Sequence, residues 1–249
     1  MKSSKMAITL LLAIAAGVLL GRNMAIAAGS KSADAPAARV PADIDPESKN
    51  RLPLPRREDM NDEEKKIFDE MMGGRSDRRA ERGRDKPPIR LHSPRLAKPM
   101  ADAHRYLKNE TELGDRLTAI AVLTTARELD NQFEWTQWEE HGWNSADSKP
   151  VEREIIDTIK YCKPVKGLGE KESAIIKLGR EMFGVKKVSS PTFAEVLRLF
   201  GKRGTVDLVE LMAMYSATGA EVVAFDMQLH EGQKPLLPAR ASVPACRAR

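Results

Sequence analysis

The chain has almost no cysteine and few aromatic rings. Cys162 and Cys246 are the only thiol residues among 249, and they form no C-x-x-C spacing. The usual dithiol redox motif is therefore excluded. Phe, Trp and Tyr together supply 5% of the chain. Ala, Leu, Glu, Lys and Arg dominate instead, so strands should be few and helices many. No stretch alternates apolar and polar residues, and no segment repeats. The four histidines, His92, His104, His141 and His230, lack the spacing of a metal site. H-E-x-x-H, G-x-x-x-x-G-K-[ST], G-x-S-x-G and G-x-G-x-x-G are also missing. Zinc-protease, phosphate-loop, serine-hydrolase and dinucleotide fingerprints go with them. On this basis no cofactor and no metal are expected.

What is present begins with a processing signal. Lys2 and Lys5 precede a 15-residue apolar run, Met6 to Leu20, and Ala25-Ile26-Ala27 offers a small-x-small cleavage site. That order describes a signal peptide over residues 1–27. The run is shorter than the ~20 residues a spanning helix needs, so no stable membrane insertion is expected after cleavage. The mature protein is expected to be periplasmic or secreted. Loss of Lys2, Lys5 and Arg22 lowers the formal charge from +5 to +2. The basicity is thus partly a targeting feature, and nucleic acid is not an expected partner. In an oxidising compartment Cys162 and Cys246 could form one disulfide, or stay unpaired; the sequence leaves both open.

Residues 28–58 are rich in Ala, Pro, Ser and Asp without apolar period, and read as a disordered linker. A helical domain is expected over 59–238 and a flexible tail over 239–249. Asn61 to Glu64 is a capping-box pattern, and Ile67, Phe68, Met71 and Met72 form the face of the short helix it opens. The Arg-rich stretch 74–86 reads as a solvated loop. Ser93-Pro94 starts a second helix with Leu96, Met100, Ala103 and Leu107 on one face. A third, from about Glu112 to Glu128, is apolar almost all round and should be central. Further helices are expected over 151–160, over 170–183, from Ser190-Pro191, and from a Thr205 cap to about Gln228. Phe193, Val196, Leu197 and Phe200 should face inward in the one starting at Ser190. The expected fold is all-α: a compact helical bundle with short connections.

The remaining helix, LDNQFEWTQWEEHGWN from Leu129 to Asn144, holds all three tryptophans. Asn131 fits its N-cap, which would make Glu134 a capping-box partner. At ~100° per residue, Asn131, Glu134, Gln137, Trp138 and His141 share one face about 120° wide. Glu134 and His141 lie ~10.5 Å apart along the axis, too far for a direct dyad. Any proton transfer there needs a substrate between them or a group from another helix. Glu139 and Glu140 are expected to face solvent.

RLTAIAVLTTARELDNQFEWTQWEEH resembles the central helices of the carboxymuconolactone decarboxylase family, in the alkylhydroperoxidase D-like superfamily. Ile89 to Ala97 is similar to that family's upstream helix start. Phe200 to Leu211, with Met214 to Ser216, is similar to its C-terminal helix. The resemblance implies an all-α fold of that type, assembled as homo-trimers or homo-hexamers. It implies decarboxylation of a γ-lactone, or peroxidase chemistry through C-x-x-C and histidine. Anchored on Glu134-Trp135, the two redox-cysteine positions fall on Asn131 and Glu134. The histidine falls on Trp138 and the supporting upstream glutamate on Ala119. Asn and Glu cannot replace an attacking thiolate, so the dithiol route is not expected.

Two readings follow from the resemblance. In one, the protein acts on a small carboxylated or lactone substrate, with Glu134 and His141 as catalytic residues and Trp138, Asn131 and Tyr215 binding substrate. In the other, it is a non-catalytic scaffold or small-ligand binder that kept the fold and lost the chemistry. A third reading, peroxidase chemistry through Cys162 and Cys246, requires the two to lie close in space.

Overall fold

A computed structural model describes residues 40–73, 86–141 and 151–246, without the side chains of Glu140 and His141. The expected signal peptide, the first part of the expected linker and residues 74–85 of the Arg-rich loop lie outside the described residues. Residues 142–150 and 247–249 also lie outside them.

The described residues form an all-α structure, with no strand among them. Helix α1 (Asp62–Gly73) opens on the expected capping box. Asn61 Oδ1 accepts from the N–H groups of Glu63 and Glu64 at 3.0 Å each, and Glu64 Oε2 accepts from the Asn61 N–H at 3.1 Å. Then come α2 (Pro94–Asn109), α3 (Gly114–Glu128), α4 (Gln132–His141), α5 (Arg153–Lys160) and α6 (Glu170–Gly179). A wide turn, Arg180–Val185, follows α6. The last helix, α7 (Ser190–Ala224), bends at Gly201, whose φ is 65°. The backbone leaves helical geometry at this residue, and a positive φ costs little only where there is no Cβ, so glycine sits at the break. Thr205 lies inside α7 rather than at a cap. Its hydroxyl donates to the Gly201 carbonyl at 2.6 Å.

Helix α3 is the centre. Every residue from Thr118 to Arg127 is buried. It packs against α2, α4, α5, α6 and α7, as its all-round apolar character requires. The tightest crossing is at Gly179. A Cβ there would lie 2.5 Å from Thr124 Cγ2 and 2.7 Å from Met212 Cε. Thr124 is β-branched and fully buried, so its methyl has little room to yield. Gly179→Ala should therefore cost about 1–3 kcal/mol of stability by overpacking. Urea denaturation checks this, and a change within experimental error would mean that α3 and α7 move apart freely.

Three expectations about faces are revised. On α2 Met100 and Leu107 turn inward as expected, but Ala97 and His104 take the places expected of Leu96 and Ala103, and Leu96 is 54% exposed. On α7 Val196 is fully buried, but Phe193 and Leu197 are 50% and 36% exposed. This arm meets α6 along Val196 and the Lys177–Glu195 pair (3.2 Å), so the neighbouring apolar residues turn outward. The Glu139 side chain does not face solvent: it is 7% exposed and pairs with Lys160 of α5 at 2.9 Å.

The described part of the expected linker is not loose chain. Arg51 N–H donates to the Phe225 carbonyl at 2.9 Å, Gln228 N–H donates to the Lys49 carbonyl at 2.9 Å, and Asn50 is buried. These bonds use the last turn of α7 and the residues after it, where backbone groups lack intrahelical partners. The tail is held as well. Arg240 Nη2 donates to the Arg127 carbonyl at 2.8 Å, and Cys246 is disulfide-bonded to Cys162. Among the described residues no helix is long and apolar enough to cross a membrane.

Candidate functional site

A cleft of about 780 Å³ opens where α2, α4 and α7 meet. Helical spacing decides what each helix shows to it. From α2 come Ala97, Ala101, His104 and Lys108, at i, i+4, i+7 and i+11. From α4 come Phe133, Glu134, Gln137 and Trp138, and from α7 Tyr215 and Thr218. Arg90 and Pro88 close one side, and His230, on the segment after α7, closes another. A second cavity of about 410 Å³ adjoins it and shares Arg90, Phe133, Glu134, Thr218 and His230.

The cap of α4 explains why Glu134 reaches this cleft. Asn131 Oδ1 accepts from the Glu134 N–H at 3.1 Å, as an N-cap should. A full capping box would also return the Glu134 carboxylate to the Asn131 N–H. That N–H instead donates to the Ala126 carbonyl at 2.8 Å, at the end of α3. The tight α3–α4 turn thus takes the donor that would have bound Glu134. Glu134 lines both cavities, with the residue 9% exposed. Asn131, expected to bind substrate, has its oxygen committed to the cap and is not on the cleft wall.

Trp138 lies one turn beyond Glu134, about 6 Å along the axis. It is 5% exposed and meets Tyr215 edge-to-face, with ring centroids 5.6 Å apart. Lys108 Nζ stands 5.1 Å from the Trp138 ring centroid, a cation–π distance. The Tyr215 hydroxyl and His104 Nε2 share a hydrogen bond of 3.0 Å. On the other wall, His230 packs on Phe133 at 5.7 Å between ring centroids.

Charge around the cleft is mixed and mostly paired. Arg90 holds Glu221 at 2.8 Å and donates to the Thr218 hydroxyl at 3.1 Å. Lys98 bridges Asp102 at 2.5 Å and Glu70 at 3.3 Å. The hydrogen bond to Asp102 raises the Lys98 ammonium above its usual range, and the same bond holds the Asp102 carboxyl below its own. The rim therefore stays charged across the physiological range.

Of the residues singled out in the sequence, Glu134, Trp138 and Tyr215 come together on one cleft. His141 is the last residue of α4, and its side chain lies outside the described residues. The group that sequence reasoning passed over is His104. Its signal is its place on the inward stripe of α2, between Met100 and Leu107, where a titratable ring is unusual. The arrangement can hold a flat or carboxylated molecule against Trp138 and exchange protons with it through His104–Tyr215 or Glu134. Comparison of the chain with protein-family models, with curated proteins and with solved structures finds no match to any of them.

Proposed function

We propose that this cleft is the substrate site of a carboxymuconolactone decarboxylase-like acid–base catalyst, exported from the cytoplasm and acting on a small carboxylated or lactone compound. The observation that carries the reading is the meeting of a buried carboxylate, Glu134, with the His104–Tyr215 pair on a cleft walled by Trp138. Loss of carbon dioxide leaves an electron pair on carbon, and opening or shifting a lactone needs a proton moved between carbon and oxygen. Both demand a positioned acid and base in a site that largely excludes water. The volume suits a ligand of ordinary metabolite size. Lys108, on the cleft wall beside Trp138, supplies positive charge for a substrate carboxylate. The resemblance of Arg116 to His141 to the family's central helices supports the reading, because it implies an active site on this helix.

The test is turnover of purified protein on a panel of γ-lactones and unsaturated carboxylic acids, with hydroperoxides as the peroxidase arm. Glu134→Gln should lower kcat/KM on the accepted substrate at least about a hundredfold, the lower end for removal of a general acid or base. Unchanged turnover would remove Glu134 from the mechanism. A second reading, a non-catalytic small-ligand binder, draws on the stacking of Lys108, Trp138 and Tyr215, which resembles a binding cage more than a reaction centre. Saturable binding of a lactone or acid without turnover would decide for it. Either reading includes self-association as trimers or hexamers. The outward Phe193, Leu197 and Val206 of α7 offer apolar surface for it, and sedimentation velocity measures the outcome.

A further inference from the structure

A second chemical centre lies at the end of α3, away from the cleft. Cys162 and Cys246, 84 positions apart in sequence, are joined there. Arg240 Nη1 donates to both sulfurs, at 3.0 Å to Cys246 Sγ and 3.6 Å to Cys162 Sγ. The guanidinium cannot easily leave. Its Nη2 donates to the carbonyls of Arg127 at 2.8 Å and Glu128 at 3.1 Å, and its Nε to Asp130 Oδ2 at 3.3 Å. The Glu128 side chain is 3% exposed, and one of its carboxylate oxygens and the two sulfurs all lie within 4.8 Å of one another. The sulfurs differ in access: Cys162 is buried, and Cys246 is half-buried.

A disulfide that only ties a tail down needs none of this. A fixed positive charge against the sulfurs matters when they become anionic, which happens on reduction. We propose that Cys162–Cys246 is a thiol–disulfide exchange site for an external dithiol, with Arg240 stabilising the Cys162 thiolate as it leaves. A thiolate of the dithiol attacks Cys246 Sγ, the more open sulfur. The bond between the two cysteines breaks, and its electron pair goes to Cys162 Sγ. The dithiol's second thiol, deprotonated, then attacks the mixed disulfide, closes its own disulfide and releases Cys246 as a thiolate. Two electrons pass from the dithiol to the cysteine pair, and the two protons given up by the dithiol end on the two cysteines. Glu128 is placed to hand one of them to Cys162. Burial pushes its carboxyl above the usual range, against the opposing pull of Arg240, Arg180 and Arg127, with Asp130 adding to the rise. Two thiolates and a carboxylate are also a zinc donor set. Arg240, held by backbone carbonyls on the sulfur side, opposes a second cation there.

Stabilising the reduced form makes a disulfide more oxidising. The experiment equilibrates folded, oxidised protein with glutathione buffers without denaturant, quenches with acid, alkylates and weighs the products. The pair should reduce at millimolar reduced glutathione. Glutathione trapped by acid before the second exchange step should be attached to Cys246, and an adduct on Cys162 would overturn the proposed direction of attack. Arg240→Gln should make the pair about tenfold harder to reduce at equilibrium, a shift of about 30 mV for a two-electron couple. Arg240→Lys, which keeps the charge, should recover part of that and serves if the glutamine variant does not fold. A wild-type pair that stays oxidised at millimolar reduced glutathione overturns the proposal. So do arginine variants with an unchanged equilibrium constant.

Discussion

Replacing Glu139 by alanine is expected to remove about 3–5 kcal/mol of folding stability, the range for breaking one side of a buried ion pair. The Glu139 side chain is 7% exposed and that of Lys160 is 8% exposed. Lys160 Nζ lies 2.9 Å from both carboxylate oxygens, and Arg153 Nη1 lies 3.1 Å from one of them. The Trp135 indole N–H also donates to Glu139, and Trp135 is fully buried. One carboxylate therefore satisfies two cations and an indole, and joins α4 to α5. Without it, Lys160 stays buried beside an apolar wall with no anion, and the indole loses its acceptor. Glu139→Leu combined with Lys160→Met should recover part of the loss, because an apolar pair of similar volume fills the space while the Trp135 N–H still lacks its acceptor. The Arg57–Asp69 pair is a useful contrast. It is shorter, at 2.6 Å, but both side chains are half exposed and screened by water, so Asp69→Asn should cost far less than Glu139→Ala. Chemical denaturation of the three variants beside the unaltered protein gives the comparison. A loss below about 1 kcal/mol for Glu139→Ala would mean that water reaches Lys160.

The same residue shows what the sequence could and could not carry. Glu139 sits in a run of charge on a helix, and such runs usually face solvent. Its main partner is 21 positions on, in another helix, and no periodicity records that. Local information did better where the cause is local. The capping box of α1 forms as the order Asn61 to Glu64 suggests, because all its bonds lie within one turn. Helix α3 is central because an all-round apolar helix has nowhere else to go. For α2 the helix was legible but its face was not. Leu96 and Ala103 gave an apolar stripe as regular as the one actually used, and α7 made the choice between them. His104 was hidden by that one-residue offset. At the cap of α4, Asn131 behaved as its type predicts, while Glu134 did not return the bond, because a carbonyl of α3 was closer. Residues 43–58 carry no apolar period, and they are held by backbone hydrogen bonds, which composition does not reveal.

If the cleft works as proposed, Tyr215→Phe and His104→Gln should each lower kcat/KM by about 10²–10⁴, and the double variant should be little worse than the poorer single one. The reason is their 3.0 Å hydrogen bond: a proton that passes through one must pass through the other. Residues acting as one unit lose the whole contribution when either is removed. Tyr215→Phe is the cleaner change. The ring still meets Trp138 edge-to-face, so the wall of the cleft remains while the hydroxyl is gone. The effect should therefore fall on kcat more than on KM, as expected when transition-state contacts are lost and ground-state packing is kept. Tyr106→Phe is the matched control. Its hydroxyl sits between Arg203 at 3.2 Å and Asp207 at 3.4 Å, and it does not line the cleft. It should leave kcat/KM within about twofold, below 1 kcal/mol of transition-state free energy. The pH dependence of kcat/KM separates relay from support: the limb that belongs to the pair should be missing in both single variants. Multiplicative losses with an unchanged pH profile would mean that His104 and Tyr215 merely hold the wall, and would leave the proton transfer to Glu134.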